Sequence, residues 1–104
     1  MRITYSDKKV ERYFNDYSKM QKRIPYEWTK TVKKHIERLK TAETFDDFLK
    51  LNLGHPEPLS GDGLGKYSIR ITGNVRLIIK PLVNVVNIEG VVDYHGNKES
   101  WYIP

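Results

Sequence analysis

Three side chains capable of proton transfer follow one another where the last apolar run of the chain ends. The stretch "VVDYHG" leads from Val91 and Val92 into Asp93, Tyr94 and His95. Histidine titrates near neutral pH and is the commonest general acid or base. A tyrosine can stack on a nucleobase or donate a hydrogen bond, and an aspartate can orient the imidazole or hold an arginine. The triplet indicates either a strand that ends in a polar loop or catalytic groups at the rim of a sheet.

Two arginines stand symmetrically about a turn earlier in the chain. Arg70 and Arg76 flank "TGN", and a three-residue loop would make them cross-strand neighbours on one face, together with Lys66 and Ser68. A two-residue loop would shift the register and separate them. Like charges directly opposite each other cost stability, so such a pair usually holds an anion. The alternative is that both arginines simply face solvent.

The other two histidines give no metal-binding pattern. His35 falls among charged residues of a predicted helix, where a solvated or boundary position is expected, and His55 lies in a loop rich in Gly and Pro. The sequence contains no HxH or HExxH spacing and no cysteine, so we expect neither a metal nor another cofactor. A Gly-x-Ser-x-Gly nucleophile motif and a phosphate-binding P-loop are also missing.

These residue types suit cleavage of RNA by its own 2′-hydroxyl. Such a reaction needs a base for the hydroxyl proton, an acid for the leaving oxygen and cations for the charge that builds on phosphorus. Arginine fits the last role because its planar guanidinium matches phosphate oxygens and stays charged. The candidate catalytic residues are Asp93, Tyr94, His95, Arg76, Arg70 and His55.

The excess positive charge lies in the N-terminal part of the chain. Residues 1–40 hold 12 Lys and Arg against 5 Asp and Glu, whereas residues 41–104 hold 6 against 8, which together give the net charge of +5. A basic half on a small chain favours a polyanionic partner, most often nucleic acid, over a merely well-solvated pair of helices. The candidate RNA-binding residues are Lys30, Lys34 and Arg38, which form one helical ridge at i, i+4 and i+8, and Lys66.

The hydrophobic pattern predicts a single α+β domain over residues 1–104, with helices packed on one face of an antiparallel sheet. We expect a short edge strand over "RITYS", followed by a helix over 7–20, a second helix from Pro25 and a third from a capping box at Thr44. An irregular segment follows over 54–65. The chain then continues with a strand over 66–71, a strand from Val75 that Pro81 ends, and a strand from Val85 to Tyr94 with a bulge at Gly90.

The composition and the N-terminal sequence also give an expectation about cellular location. No apolar run approaches the ~20 residues needed to cross a bilayer, and the N-terminus has no signal-peptide pattern. With no cysteine present either, we expect a soluble cytoplasmic protein.

The stretch "PLSGDGLGKYSIRITGNVRLIIK" together with the closing "VVDYH" resembles the RelE/ParE toxin superfamily, in particular HigB-type plasmid-maintenance killer toxins. The resemblance covers about residues 51–95, and residues 96–104 extend beyond the usual end of the family, so no role is predicted for them. It implies a RelE-like β-α-α-β-β-β fold and a toxin that enters the ribosomal A site and cleaves mRNA without metal. It also implies a helix-turn-helix antitoxin of the HigA type as partner.

Carried over by motif, Arg76 would stabilise phosphate charge, Arg70 would assist, and Asp93, Tyr94 and His95 would form the catalytic rim. The chain departs from the family at His55, because the usual His-Pro-Leu-Lys-Gly is replaced by "HPEPLSG", which is two residues longer and has Ser60 in place of the lysine.

A second function is left open by the resemblance. Other members of the superfamily are ParE-type gyrase inhibitors that lack the ribonuclease residues, so a non-catalytic basic module that binds gyrase or RNA is the alternative. The intact "DYH" favours the ribonuclease.

Overall fold

A computed structural model of the chain describes residues 1–95 and 98–104, with the side chain of His95 also outside the described part. The helices are α1 (Lys8–Asn15), α2 (Tyr17–Met20), α3 (Tyr26–Thr41) and α4 (Phe45–Leu51). The strands are β1 (Arg2–Tyr5), β2 (Glu57–Pro58), β3 (Tyr67–Thr72), β4 (Val75–Leu82), β5 (Val85–His95) and β6 (Lys98–Ile103), and a 3₁₀ turn lies at Gly61–Gly63. Within the described residues no helix is long and apolar enough to span a membrane.

The first helical segment is interrupted at Asp16. The prediction of one helix over residues 7–20 is therefore wrong in detail: Asp16 takes an extended conformation (φ −141°, ψ 93°), and its carboxylate accepts from the backbone N–H groups of Ser18 and Lys19. A short acidic side chain competes in this way for backbone donors and starts a new helix. Asp7 caps α1 in the same manner, by accepting from the N–H of Val10.

The next two helices begin where the sequence predicts them. Pro25 directly precedes α3, and the hydroxyl of Thr44 accepts from the backbone N–H of Asp47 at the start of α4. Asn52 ends α4 in the left-handed conformation that asparagine tolerates better than most residues. The inward face of α3 consists of Thr29, Val32, His35, Ile36 and Leu39.

The strands form one sheet in the order β1-β5-β4-β3-β2. Neighbouring strands from β2 to β5 are antiparallel, whereas β1 runs parallel to the first half of β5 over residues 85–88. Strand β6 pairs antiparallel with the second half of β5, so β1 and β6 share one edge of that long strand. The predicted α+β class is confirmed, and the parallel entry of β1 makes the sheet mixed.

The turn between β3 and β4 contains two residues. The sequence had indicated that a three-residue loop would be needed to pair Arg70 with Arg76. Thr72 lies opposite Val75, which leaves Gly73 and Asn74 as the turn. An irregularity between Arg70 and Thr72 then shifts the register by one, so Arg70 still lies directly opposite Arg76. The predicted pairing is confirmed because a bulge compensates for the shorter loop.

Strand β4 continues through Pro81, so the prediction that this proline ends the strand is wrong. Pro81 pairs with Val86 of β5, while the pairing with β3 stops at Ile79. Beyond Ile79 the strand has a neighbour on one side only, and a proline without an N–H is tolerated on such an edge.

The predicted bulge at Gly90 is present and has a steric cause. The register between β4 and β5 shifts there, and Gly90 has a φ of 148°, which side chains rarely adopt. A Cβ atom on Gly90 would collide with the backbone carbonyl of Ile103 in β6. The missing side chain thus allows β6 to reach the edge of β5.

The main core lies between the helices and one face of the sheet. Strand residues contribute to it at every second position, and they include Ile69, Leu77 and Ile79. Ile78 and Val92 are also buried but belong to the opposite face, outside that core. The face that points away from the helices therefore has a small apolar floor of its own.

Candidate functional site

A row of four cross-strand neighbours lies on the sheet face that points away from the helices. Arg70 of β3 pairs with Arg76 of β4, Arg76 with Val92 of β5, and Val92 with Trp101 of β6. Directly opposite residues share a face, and adjacent strands are about 4.8 Å apart. The row therefore places two arginine residues side by side, followed by an apolar floor and an aromatic residue.

The Arg76 guanidinium is held at the turn beside this row. Its Nη1 donates to the backbone carbonyls of Thr72 (3.3 Å), Val75 (3.1 Å) and Gly73. Partial burial lowers the pKa of Arg76, and the positive charge of Arg70 lowers it further. An arginine stays charged at any physiological pH, so the two neighbouring cations repel each other. A phosphate bound between them would relieve that repulsion.

Tyr94 joins the arginines from the end of β5. It lies two residues beyond Val92 on the same face, and its backbone N–H donates to the carbonyl of Asn74 in the turn (3.0 Å). Burial raises the pKa of the Tyr94 phenol, and Glu99 raises it further, although Lys66 and Arg76 act in the opposite direction. The phenol is therefore neutral near pH 7 and able to donate a hydrogen bond.

The structure does not place all three residues of "DYH" on one face. Asp93 pairs directly with Val75, whose side chain belongs to the core, so its half-buried carboxylate lies on the helix side of the sheet. His95 closes β5 opposite Lys98, and its ring lies outside the described residues. The prediction that the His95 ring meets Arg76 stays a prediction.

The loop before β3 brings a further carboxylate to the arginine face. Glu57 of β2 pairs with Ser68, which lies two residues before Arg70 on the same face of β3. The negative charge of Glu57 opposes the lowering of the pKa of Arg76. Sequence reasoning missed Glu57, although the two additional residues of "HPEPLSG" were a signal, because they introduce the one acidic side chain between His55 and Gly61.

His55 lies close to this group along the chain. It is exposed, with a left-handed φ of 45°, and the carbonyl of the preceding Gly54 accepts from the backbone N–H of Arg70 at 2.6 Å. This hydrogen bond attaches the loop that carries His55 to β3 at Arg70. A role for the imidazole stays a prediction.

Of the predicted RNA-binding residues, Lys66 is engaged within the protein. Its Nζ lies 2.9 Å from Oε1 of Glu89, and Oε2 of the same carboxylate accepts hydrogen bonds from Ser6 and Asn87. Burial would raise the pKa of Glu89, but the hydrogen bonds from these three partners lower it overall. The ion pair neutralises much of the charge that Lys66 would offer to a phosphate.

The three cations of the predicted ridge lie along α3, on the helix side of the molecule. Lys30 forms an exposed ion pair with Glu27 at 3.7 Å, and Lys34 is exposed. Arg38 is half-buried, with Nη1 3.3 Å from Nδ1 of His35. The ridge is present, and it lies on the far side of the sheet from the arginine row.

His35 is not the solvated residue that its charged neighbours in the sequence suggest. It is 3% exposed, and its Nε2 lies 3.0 Å from the backbone carbonyl of Arg70. Because a carbonyl can only accept, Nε2 carries the proton and Nδ1 is free to accept from Arg38. Burial lowers the pKa of His35, and the Arg38 charge lowers it further although the Arg70 hydrogen bond opposes them, so the ring is neutral at pH 7.

Across residues 1–95 and 98–104, the side-chain positions that the structure describes contain no cluster of three His, Asp or Glu residues.

Comparison with known proteins identifies the family and supports the fold. Residues 3–95 match the family model of the HigB-like toxins, described as RelE-like toxins of the type II toxin–antitoxin system HigB. A YoeB/ParE toxin from Agrobacterium tumefaciens has the same fold, with 20% identity and a TM-score of 0.62 over 91% of this chain and 100% of that one. No curated protein sequence matches the chain.

Two structures from Staphylococcus aureus also share the fold, each covering 91% of this chain and 97% of the other. One is a YoeB–YefM complex, with 23% identity and a TM-score of 0.62. The other is a heterotetrameric YoeB–YefM toxin–antitoxin complex, with 26% identity and a TM-score of 0.60.

Proposed function

The chain belongs to the HigB-like family of RelE-like type II toxins, and we propose that it is an endoribonuclease that cleaves mRNA on translating ribosomes. The observation that carries this proposal is the direct cross-strand pairing of Arg70 with Arg76 beside Tyr94. Two adjacent cations on an exposed sheet face cost stability unless they serve an anion, and the phosphodiester of RNA is such an anion. Acting on translating ribosomes places the toxin in the cytoplasm.

The proposed reaction is an attack of the 2′-hydroxyl on the adjacent phosphate. A bond forms between O2′ and phosphorus while the bond from phosphorus to O5′ breaks, which yields a 2′,3′-cyclic phosphate and a free 5′-hydroxyl. Arg76 and Arg70 would neutralise the charge that develops on the non-bridging oxygens. The neutral phenol of Tyr94 would donate a hydrogen bond to the same group.

The proton transfers require one base and one acid. The carboxylate of Glu57 shares the arginine face, so it is the base candidate that the geometry supports. His95, with His55 as the other imidazole candidate, would protonate the leaving O5′, because histidine exchanges protons readily near pH 7. Asp93, whose carboxylate lies on the helix side of the sheet, would act as a positioning residue that holds the end of β5 in place.

A translating cell-free extract tests the proposal. Breaks in a defined mRNA are mapped with and without ribosomes, and the new 5′ ends are examined for a free hydroxyl. We expect ribosome-dependent breaks within codons for the natural chain and none for Arg76→Ala or His95→Ala. Lys80→Ala, at an exposed position of the same strand as Arg76, is the matched control and should cleave normally.

Two outcomes would overturn the proposal. Full toxicity of both Arg76→Ala and His95→Ala would remove the assigned site. DNA damage in cells without RNA breaks would favour the gyrase-binding alternative, in which toxicity depends on Lys30, Lys34 and Arg38 instead.

We also propose that the toxin pairs with a helix-turn-helix antitoxin of the HigA type. The related S. aureus structures hold YoeB together with YefM, in agreement with a toxin of this superfamily that is neutralised by a protein partner. Co-expression with the neighbouring open reading frame should give a complex that survives affinity purification and suppresses growth arrest. Failure of the two chains to co-purify would contradict this pairing.

A further inference from the structure

The C-terminal strand β6 lies beyond the residues that match the family model, yet it is firmly attached to the fold. Ile103 is fully buried in the core, and the ring of Tyr102 packs edge-on against Trp28 with centroids 5.6 Å apart. Each of these contacts restricts the position of the strand. Trp101, which directly precedes Tyr102 in this strand, is thus presented from a fixed backbone.

Trp101 extends the arginine row toward a different kind of ligand. It pairs with Val92, which pairs with Arg76, so the backbone positions of Trp101 and Arg76 lie two strand spacings apart, about 10 Å. The ring lies over Gly90, with Cζ3 3.1 Å from where a Cβ of that residue would be. Although it is supported from below, Trp101 is 40% exposed.

Trp101 and Tyr94 both line a small cleft, whose apolar lining also includes Ile78 and Leu59. Its volume is about 160 Å³, well below the ~300 Å³ of the smallest sites for drug-sized ligands. A space of this size, lined in part by two aromatic side chains, has room for one flat ring system. It is too small for a helix or a folded peptide segment.

The charges around the cleft differ from those of the arginine pair. Asp62 and Glu99 line it, and its one lysine, Lys66, is paired with Glu89 at 2.9 Å. Carboxylates repel a phosphate but accept hydrogen bonds from the exocyclic amino groups of bases. The surface is thereby divided into a cationic zone for the phosphate and an aromatic, acidic zone for a base.

We propose that Trp101 and Tyr94 form a stacking subsite for the nucleobase next to the scissile phosphate, and that Glu99 and Asp62 select bases with an exocyclic amino group. The inference rests on the proposed ribonuclease function and adds a determinant of its sequence preference. Uracil has no amino group, so a uracil at this position should bind more weakly than adenine or cytosine. Stacking on one aromatic ring typically changes binding by about tenfold or more.

The first test is direct binding by tryptophan fluorescence, since the chain contains only Trp28 and Trp101. Trinucleotides with 2′-O-methyl groups cannot be cleaved and serve as probes, with adenine, cytosine, uracil or an abasic sugar at the central position. We expect the adenine and cytosine probes to quench the fluorescence of the natural chain and of Trp28→Phe. The uracil probe should bind about tenfold more weakly, and the abasic probe should cause no quenching.

Matched variants separate stacking from folding. Because the Trp101 variants lack the reporting fluorophore, their binding is measured by calorimetry: Trp101→Leu should bind the adenine probe about tenfold more weakly than Trp101→Phe, and Glu99→Gln should bind the adenine, cytosine and uracil probes equally. Tyr26→Ala removes an exposed aromatic side chain on α3, outside the cleft, and should bind as the natural chain does. Urea unfolding of each variant establishes that the fold is intact.

The second test is the position of mRNA breaks in the translating extract. Trp101→Ala should raise the KM about tenfold, and Glu99→Gln should redistribute the breaks among codons, with the 5′-hydroxyl product unchanged. Equal quenching by the abasic probe, or an unchanged break pattern and KM in both variants, overturns the subsite while the ribonuclease assignment stands. Base-dependent quenching in a chain that makes no RNA breaks supports the subsite and overturns the ribonuclease.

Discussion

The two faces of this protein both carry positive charge, but they arrange it in different ways. On the helix side the cations are spread along α1 to α3 on long side chains, and several lie over tyrosine rings at 5.5 to 5.8 Å. On the sheet side Arg70 and Arg76 are direct neighbours on paired strands, and one of them is fixed to a turn. The first arrangement is suited to attracting a polyanion from any direction, whereas the second is suited to positioning one phosphate.

This difference indicates a division of labour that follows from backbone rigidity. A helix displays long side chains that adapt to an irregular RNA surface, and their attraction is long-ranged and screened by salt. A sheet holds neighbouring side chains at a separation set by the strand spacing, which is the precision that transition-state stabilisation requires. Variants of the two faces should therefore fail in different ways.

The largest effect is expected from Arg76→Ala on the sheet face. Loss of a charged donor aimed at the developing charge should lower kcat for RNA cleavage by about 10²- to 10³-fold, and Lys80→Ala should change it little. The measurement is single-turnover cleavage on programmed ribosomes. Arg76→Lys should recover only part of the loss, because an ammonium cannot form the two parallel bonds of a guanidinium. Full recovery by lysine would mean that charge alone is required.

Gly90→Ala should disturb the packing of β6 against β5 and so lower the stability of the fold. The new Cβ meets the Ile103 carbonyl and the φ of 148° disfavours a side chain, so we expect a loss of about 2–3 kcal/mol in the free energy of unfolding. Gly61→Ala, which also has a left-handed φ but open space around it, is the control and should cost about 1 kcal/mol. Urea titration measures both. Equal losses would show that β6 does not press on Gly90.

The helix face should respond to salt more than to chemistry. Replacing Lys30, Lys33 and Lys34 together by alanine should weaken ribosome binding about tenfold at physiological salt and reduce the slope of log K against log salt by about 2. Cleavage at saturating ribosome concentration should stay unchanged. Co-sedimentation over a range of salt concentrations measures this, with Lys50→Ala on α4 as the control. An unchanged slope would exclude these lysines from the RNA contact.

The smallest expected change concerns His35, which joins the two faces through the Arg70 carbonyl. Burial holds the pKa of His35 below its usual value of 6.5, so the unfolded chain binds the proton more readily. Stability is therefore full above about pH 6.5 and declines as the pH falls below it. Urea titrations from about pH 7.5 to about pH 5 measure the decline, which His35→Gln should reduce and His55→Gln should not.

Residues that act through local patterns were predictable from the sequence. Thr44 caps α4 and the arginines flank a turn because each depends on neighbours a few positions away, so the spacing alone indicates the contact. The burial of His35 was not predictable, because its partners Gly54 and Arg70 are distant along the chain. The same holds for Glu57, which reaches the arginine face through a two-residue strand too short to give a hydrophobic pattern.

The sequence by itself determined the α+β class, the basic N-terminal part and the pair of arginines, since each follows from composition or from a period of two or 3.6 residues. The tertiary structure alone decided which residues share a face. It brought Glu57 to the arginine face and aligned Trp101 with Arg76 across three strands. The physical reason is that strand register depends on bulges and on pairing between distant segments, and one residue of shift moves a side chain to the other face.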